Sequence, residues 1–112
     1  MDVKQQYVLI VKPKSPVKEW LKKVFILKNE LPGKIEHIDF SLFERDSTVY
    51  LLPSSVNSMN ECTLFIQKEA IAILEFELEQ FIQDKSLWPQ ERSFTLLTEW
   101  FDFEVYPQIL TF

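Results

Sequence analysis

The short stretch at residues 7–11 reads YVLIV. Its apolar residues are continuous rather than alternating, and most of them are β-branched. A run of this kind is typical of a strand that is buried on both faces. We therefore predict that residues 7–11 form a central strand of a sheet and that the strand ends at Pro13.

The residues after this strand carry the start signals of a helix. Ser15 is a favourable N-cap, and Pro16 suits the first helical position. We expect the helix to stop near residues 29–31, because Pro32 and Gly33 follow and neither continues a helix readily. Between these signals, apolar residues recur at helical spacing: Val17, Trp20, Leu21, Val24 and Leu27.

Three further segments have strand patterns. Residues 35–44 alternate apolar and polar side chains, as in a strand with one buried face. Residues 48–52 form a second continuous apolar run, which predicts another central strand. Residues 103–112 also resemble a strand, but Pro107 cannot donate a ladder hydrogen bond. We therefore place this last strand at an edge of the sheet or expect it to carry a bulge.

Two segments are predicted to be helical. Residues 58–84 form a long helical region, in which residues 59–65 could be a separate first segment. From Ile66 onward, the apolar residues share one face and glutamates lie outside it. Ser93 can cap a shorter helix over residues 94–101.

The predicted order of elements is β-α-β-β-α-(α)-β, which is the order of the ferredoxin-like split βαβ arrangement. In that arrangement the first and third strands are central and the second and fourth are edges, as the patterns above suggest. The sequence thus predicts a single α+β domain over residues 1–112. We expect a ferredoxin-like βαββαβ sandwich with an extra short helix before the last strand. Such a fold serves many functions and selects none.

The composition disfavours several classes of protein. Cys62 is the only cysteine, so no internal disulfide can form, which is typical of a reducing compartment. No stretch approaches the ~18–20 apolar residues of a membrane span. The start of the chain lacks the pattern of a signal peptide. We therefore expect a cytoplasmic protein that does not contact a membrane.

The charge distribution is uneven along the chain. The net charge is −5 overall, with +2 in residues 1–50 and −7 in residues 51–112. An acidic protein is repelled by phosphate backbones, so we expect no binding to nucleic acid. Gly33 is the only glycine, which argues against glycine-rich phosphate loops, and we predict no cofactor.

Glu77 is the most informative candidate site residue. On a helical wheel that starts at Ile66 it falls at about 20°, inside the apolar stripe. A carboxylate in that position needs a partner. Arg92 is the candidate, because it is the only lysine or arginine after Lys85 and suits bidentate pairing. The pair would be either a structural ion pair or part of a ligand site with a carboxyl of raised pKa.

Two other residues were considered for catalysis. His37 is the only histidine and is either a general base or an exposed residue of an edge strand. Cys62 follows Glu61, which would raise the thiol pKa, so a core position is favoured over a nucleophile. One histidine and one cysteine offer too few nitrogen and sulfur donors for a transition-metal site. We therefore predict no catalytic residue and no metal site.

An acidic and aromatic C-terminal surface is the candidate for partner binding. Tryptophan and tyrosine combine a large contact area with a polar tip, and carboxylates could meet a basic partner. The alternative is that the aromatic residues fill the core. The last strand could also pair with a partner or with a second copy of the chain. The candidate surface residues are Trp88, Trp100, Tyr106, Glu75 and Glu79.

The C-terminal segment at residues 86–104 reads SLWPQERSFTLLTEWFDFE and resembles part of a set of small uncharacterised bacterial proteins. The resemblance implies a bacterial origin and one defined structural unit, but no activity, cofactor or partner. The residues that carry it are Trp88, Pro89, Arg92, Trp100 and Phe101.

These observations favour a non-enzymatic protein-interaction or regulatory module that acts through the C-terminal surface. Its partner would be another protein or a second copy, as in a homodimer. An alternative is a small-ligand-binding domain with a pocket near Glu77 and Arg92. A third hypothesis is a small enzyme that uses Glu77 or His37.

Overall fold

The computed structural model describes residues 2–4, 6–27 and 47–111. No helix in these ranges has the length and apolar character needed to cross a membrane. The elements are β1 (Asp2–Lys4), β2 (Val8–Pro13), α1 (Ser15–Leu27), β3 (Thr48–Leu51), α2 (Met59–Lys68), α3 (Ala70–Phe81), a 3-10 turn (Lys85–Leu87), α4 (Phe94–Trp100), β4 (Phe101–Tyr106) and β5 (Ile109–Thr111).

The main sheet has the strand order β3-β2-β4, and both pairs are antiparallel. Leu9, in the middle of β2, lies opposite Tyr50 of β3 and Val105 of β4. The continuous apolar run is thus the central strand of the described sheet, as its sequence predicts. The segment at 35–44, predicted to be a strand, and His37 within it lie outside the described residues.

One cluster of buried side chains joins the sheet to the helices. Leu9 and Val11 of β2 are fully buried in it, whereas Val8 and Ile10, which point to the other face of the sheet, are half-buried. This alternation follows from the pleat of a strand, which sends successive side chains to opposite faces. The helices contribute Val17, Leu21, Leu74, Leu78 and Leu97, among others.

The long helical region predicted at 58–84 is two helices. The break lies at Glu69, whose φ of −97° and ψ of 13° are not helical. Ser58 begins α2 as an N-cap, because its side chain accepts a hydrogen bond from the backbone N–H of Glu61 at 3.1 Å. Both helices bury one face in the same core. The helical character was predicted correctly, but neither glycine nor proline marks the break.

The C-terminal elements are close to the prediction. α4 confirms the short helix expected at 94–101, and Ser93 caps it by accepting from the N–H of Leu96 at 3.2 Å. The strand expected at 103–112 is divided at Pro107 into β4 and β5. Proline cannot donate to a ladder, so an interruption is the expected consequence.

A second, two-stranded sheet joins the two ends of the chain. β1 pairs antiparallel with β5, and Lys4 lies opposite Ile109. β1 was not predicted, because three residues are too few to show a periodic pattern. Its existence depends on a partner strand that lies at the other end of the chain.

Candidate functional site

Glu77 is buried and is hydrogen-bonded from the sheet. Its side chain is only 3% exposed. The Tyr50 hydroxyl donates to Oε2 at 2.5 Å, and the Thr48 hydroxyl donates to Oε1 at 3.1 Å. Thr48 and Tyr50 are alternate residues of β3, so both point to the same face, toward α3. We call these three residues the Glu77 cluster; it ties α3 to the sheet.

The Glu77 cluster has an unusual electrostatic character. Burial raises the pKa of Glu77 above its usual range, although the hydrogen bonds from Tyr50 and Thr48 act in the opposite direction. The pKa of Tyr50 is raised by burial and by its hydrogen bond to Glu77. Tyr50 therefore stays protonated at neutral pH and remains a donor. No lysine or arginine of the described ranges forms an ion pair with Glu77.

The burial of Glu77 was predicted from the sequence, but its partners were not. A cation was expected, whereas the hydroxyl groups of Thr48 and Tyr50 are the hydrogen-bond donors to the carboxylate. The sequence does contain a signal for these two partners. Thr48 and Tyr50 are two residues apart in a predicted strand, so their hydroxyl groups lie on the same face of the sheet. Which face would meet α3 depends on the packing of the two elements.

The predicted pairing of Glu77 with Arg92 is wrong. The Arg92 Nε donates to Oε2 of Glu75 at 3.0 Å, and its Nη1 donates to the Pro89 carbonyl at 2.9 Å. Residues two positions apart on a helix are separated by about 200°. Glu75 and Glu77 therefore lie on opposite sides of α3, and only Glu75 is on the side that Arg92 reaches.

Double-mutant cycles should detect this difference. We expect a coupling of about 0.5–1 kcal/mol between Arg92→Ala and Glu75→Gln, because the ion pair is partly exposed. The same cycle with Glu77→Gln should give no coupling. The measurement is the free energy of unfolding in urea at neutral pH. Coupling of Arg92 to Glu77 alone would contradict the observed pairing.

Trp88 belongs to the core and is not part of an interaction surface, which corrects the sequence prediction. It is 5% exposed, and its indole N–H donates to the Ile82 carbonyl at 2.7 Å. The Arg92 guanidinium carbon lies 5.7 Å from the centre of its ring. The buried indole thus anchors the segment between α3 and α4 to the core.

The remaining predicted surface residues do not lie together. Tyr106 is 49% exposed and alternates along β4 with core residues, so it lies on the sheet face opposite the helices. Glu75 and Glu79 are on α3, and Glu79 is exposed. Trp100 ends α4 and is partly buried, with its ring centre 5.6 Å from that of Trp20. Of the predicted aromatic residues, Trp100 is the one that borders a groove on the helical side.

We call this depression the Trp100 groove. It has a volume of about 520 Å³ and lies between the start of α1, the segment before α4 and the end of α4. A neighbouring hollow of about 620 Å³ shares Pro89 with it and is lined by Glu91, Leu96 and Glu99. The Trp100 groove is lined by Ser15, Pro16, Glu19, Trp20, Lys23, Pro89 and Trp100.

A second, smaller depression lies beside the Glu77 cluster, and we call it the Tyr50 hollow. Its volume is about 280 Å³, and it is bounded by β2 and β3 on one side and by α2 and α3 on the other. Tyr50 and Phe76 meet there edge to face, with ring centres 6.0 Å apart. Glu69 is the only charged residue among the described residues that line it.

Cys62 is a core residue, in agreement with the sequence interpretation. It is buried in α2, and its thiol pKa is raised by burial and by the nearby Glu61 carboxylate. A raised pKa leaves little thiolate at neutral pH, so this thiol is a poor nucleophile. In the parts of the chain that are described, no group of three histidine, cysteine, aspartate or glutamate residues could hold a metal ion.

Comparison with known proteins adds no relative from which a function could be inferred. No protein-family model, curated protein or solved structure matches this chain. The resemblance of residues 86–104 to small bacterial proteins therefore stays a prediction.

Proposed function

We propose that this domain is a non-enzymatic protein-interaction module that binds an extended, basic segment of a partner protein in the Trp100 groove. The observation that carries the proposal is the composition of the groove. Two tryptophan rings, Trp20 and Trp100, pack against each other in a groove that also contains Pro16 and Pro89.

Aromatic and proline walls suit an extended ligand. Proline-rich segments adopt the polyproline II helix, which is ordered before binding and therefore loses little conformational entropy. They dock in grooves lined by aromatic side chains. Trp100 also supplies the large, amphipathic contact area that is typical of residues that dominate binding energy.

The charges around the groove favour a basic segment. Among the described residues that line the Trp100 groove and its neighbouring hollow, Lys23 is the only cation. The Glu19 carboxylate lies 3.7 Å from Lys22, but an exposed pair of this kind binds weakly and can exchange partners. Charge complementarity mainly accelerates association and selects the partner. The exposed carboxylates are those of Glu19, Glu91 and Glu99.

A labelled peptide with three Pro-Pro-Arg repeats tests the proposal by fluorescence anisotropy. We expect it to bind, and we expect the Pro-Pro-Glu counterpart to bind at least tenfold more weakly. Trp100→Leu and Glu99→Lys should each weaken binding about tenfold, which is the loss of ~1.4 kcal/mol that a contact residue often provides. Circular dichroism would verify that each variant is folded.

Glu79→Lys is the matched control, because it makes the same charge change at an exposed position that lines neither depression. It should leave affinity within about twofold at 150 mM salt, where charges beyond about 8 Å are largely screened. An equal loss with Glu79→Lys would show that net charge, not the groove, attracts the peptide. Unchanged binding by Trp100→Leu would refute the assignment to this groove.

We also propose that the fold is ferredoxin-like. In support, the order β3-β2-β4 with antiparallel neighbours is the order in which that arrangement places its third, first and fourth strands. The segment at 35–44, predicted from the sequence to be the second strand, lies outside the described ranges. β1 and β5 would then be additions to the common arrangement.

A further inference from the structure

The Tyr50 hollow has the composition of a small-molecule site. Ligand sites in proteins are mostly apolar and contain a few polar groups that set orientation. Here the walls come from residues such as Leu9, Phe65, Ile73 and Phe76, and Glu69 supplies the charge. A buried carboxyl of raised pKa adjoins the hollow through Tyr50, and such groups cluster at functional sites.

Glu69 is available to a ligand. Its backbone groups are occupied, because its N–H donates to Phe65 and its carbonyl accepts from Ile73, each at 2.9 Å. Within the described ranges its carboxylate has no hydrogen-bond or ion-pair partner. The Tyr50 hydroxyl, in contrast, is used by Glu77. The hollow therefore offers a ligand one anionic group and apolar or aromatic surface.

This combination selects a cation attached to an apolar body. An ammonium group would meet the Glu69 carboxylate, and the rings of Tyr50 and Phe76 favour a nearby cation through their electron-rich faces. An anionic ligand would be repelled by Glu69. A neutral ligand would gain contact with the walls but no charge pairing.

The volume limits the size of the ligand. About 280 Å³ is close to the lower end of the range of roughly 300–1,000 Å³ for ligand sites. A water molecule occupies about 30 Å³ in the liquid, so the hollow corresponds to about nine waters. A molecule with roughly nine or ten non-hydrogen atoms would fill it.

We infer that the Tyr50 hollow is a second binding site, distinct from the Trp100 groove, and that it takes a small hydrophobic primary amine. The ammonium group lies against Glu69, and the apolar body lies against Tyr50 and Phe76. Because small ligands of this size gain limited binding energy, we expect a dissociation constant of about 1 mM for a simple compound.

Three compounds of similar size that differ in charge test the inference: phenethylamine, 2-phenylethanol and phenylacetate. Binding would be followed by amide chemical shifts in nitrogen-labelled protein. Phenethylamine should bind about tenfold more tightly than the alcohol and should shift the amides of Tyr50, Glu69 and Phe76. Phenylacetate should bind more weakly than the alcohol. Equal affinities for all three would overturn the role of Glu69, and no binding of any would overturn the site.

Variants separate the charge from the cavity. Glu69→Gln should reduce the affinity for phenethylamine to that for the alcohol, while the affinity for the alcohol stays within twofold. Glu79→Gln, an exposed change of the same kind, should alter neither affinity. Trp100→Leu should also leave amine binding unchanged, because the two sites are separate. Loss of amine binding in Trp100→Leu, or its retention in Glu69→Gln, would contradict the inference.

Discussion

Replacing Trp88 with alanine is expected to lower the free energy of unfolding by about 3–5 kcal/mol, the range found when a buried aromatic side chain is removed from a core. Trp88 is nearly inaccessible to solvent and packs in the main core cluster. Its removal leaves a large cavity, because the surrounding side chains can only partly collapse. For a domain whose total stability is about 5–15 kcal/mol, this loss is severe.

The hydrogen bond of Trp88 can be tested apart from its volume. Trp88→Phe keeps most of the apolar contact but leaves the Ile82 carbonyl without its indole donor. An unsatisfied buried acceptor costs about 1–3 kcal/mol, so this variant should lie between the wild type and Trp88→Ala. Urea denaturation followed by far-ultraviolet circular dichroism measures all three, since tryptophan fluorescence changes with the substitution itself. A loss below 1 kcal/mol in Trp88→Ala would contradict the assignment of this residue to the core.

Glu77→Gln should change the dependence of stability on pH. The pKa of Glu77 is raised in the folded state from an ordinary value of 4.5, so the folded protein keeps a proton that the unfolded chain releases. Between the two pKa values the folded state binds more protons, and the free energy of unfolding therefore falls as the pH rises. Each unit of separation between the two values is worth about 1.4 kcal/mol.

The glutamine variant removes this dependence without removing the hydrogen bonds. Its carbonyl oxygen can accept from Thr48, and its amide can donate to the oxygen of Tyr50. We expect its stability to be nearly constant through the window in which the wild type loses stability. At pH 7 it should be more stable than the wild type, because no charge remains buried.

Urea midpoints between pH 4 and 8 measure this effect, and Glu79→Gln is the control because that side chain is exposed. The control should follow the wild-type curve within about 0.5 kcal/mol, as is usual for surface substitutions. If Glu77→Gln were less stable than the wild type at pH 7, the ionised form of Glu77 would be the stabilising one. The effect of its hydrogen bonds would then exceed the effect of burial.

Several local features could be predicted from the sequence because their causes are local. The continuous apolar run at 7–11 predicted a central strand, and β2 has a neighbouring strand on each side, with one face buried and the other half-buried. Ser93 caps α4 through atoms three residues away. Pro107 interrupts the last strand because it has no N–H group. The predicted burial of Glu77 is confirmed, and the apolar spacing within α3 agrees with it, although the helical wheel used for the prediction began at Ile66, before the break at Glu69.

Other features depended on contacts between distant parts of the chain. Glu77 accepts hydrogen bonds from Tyr50 and Thr48, which are 27 and 29 positions away in the sequence. The Trp20 indole N–H donates to the carbonyl of Leu87, which is 67 positions away. β1 exists because β5 lies beside it.

Local sequence patterns alone were enough to predict which side chains are buried and where several elements begin or end. They did not determine which groups meet, because many pairings satisfy the same local pattern equally well. Arg92 was a reasonable partner for Glu77 by charge, but the orientation of α3 turned Glu75 toward it instead. Trp88 and Trp100 have the same side chain, but Trp88 is buried in the core and Trp100 lines a groove. The packing of the elements around each residue causes this difference. These features depend on the relative positions of whole elements, and long-range packing of the core sets those positions.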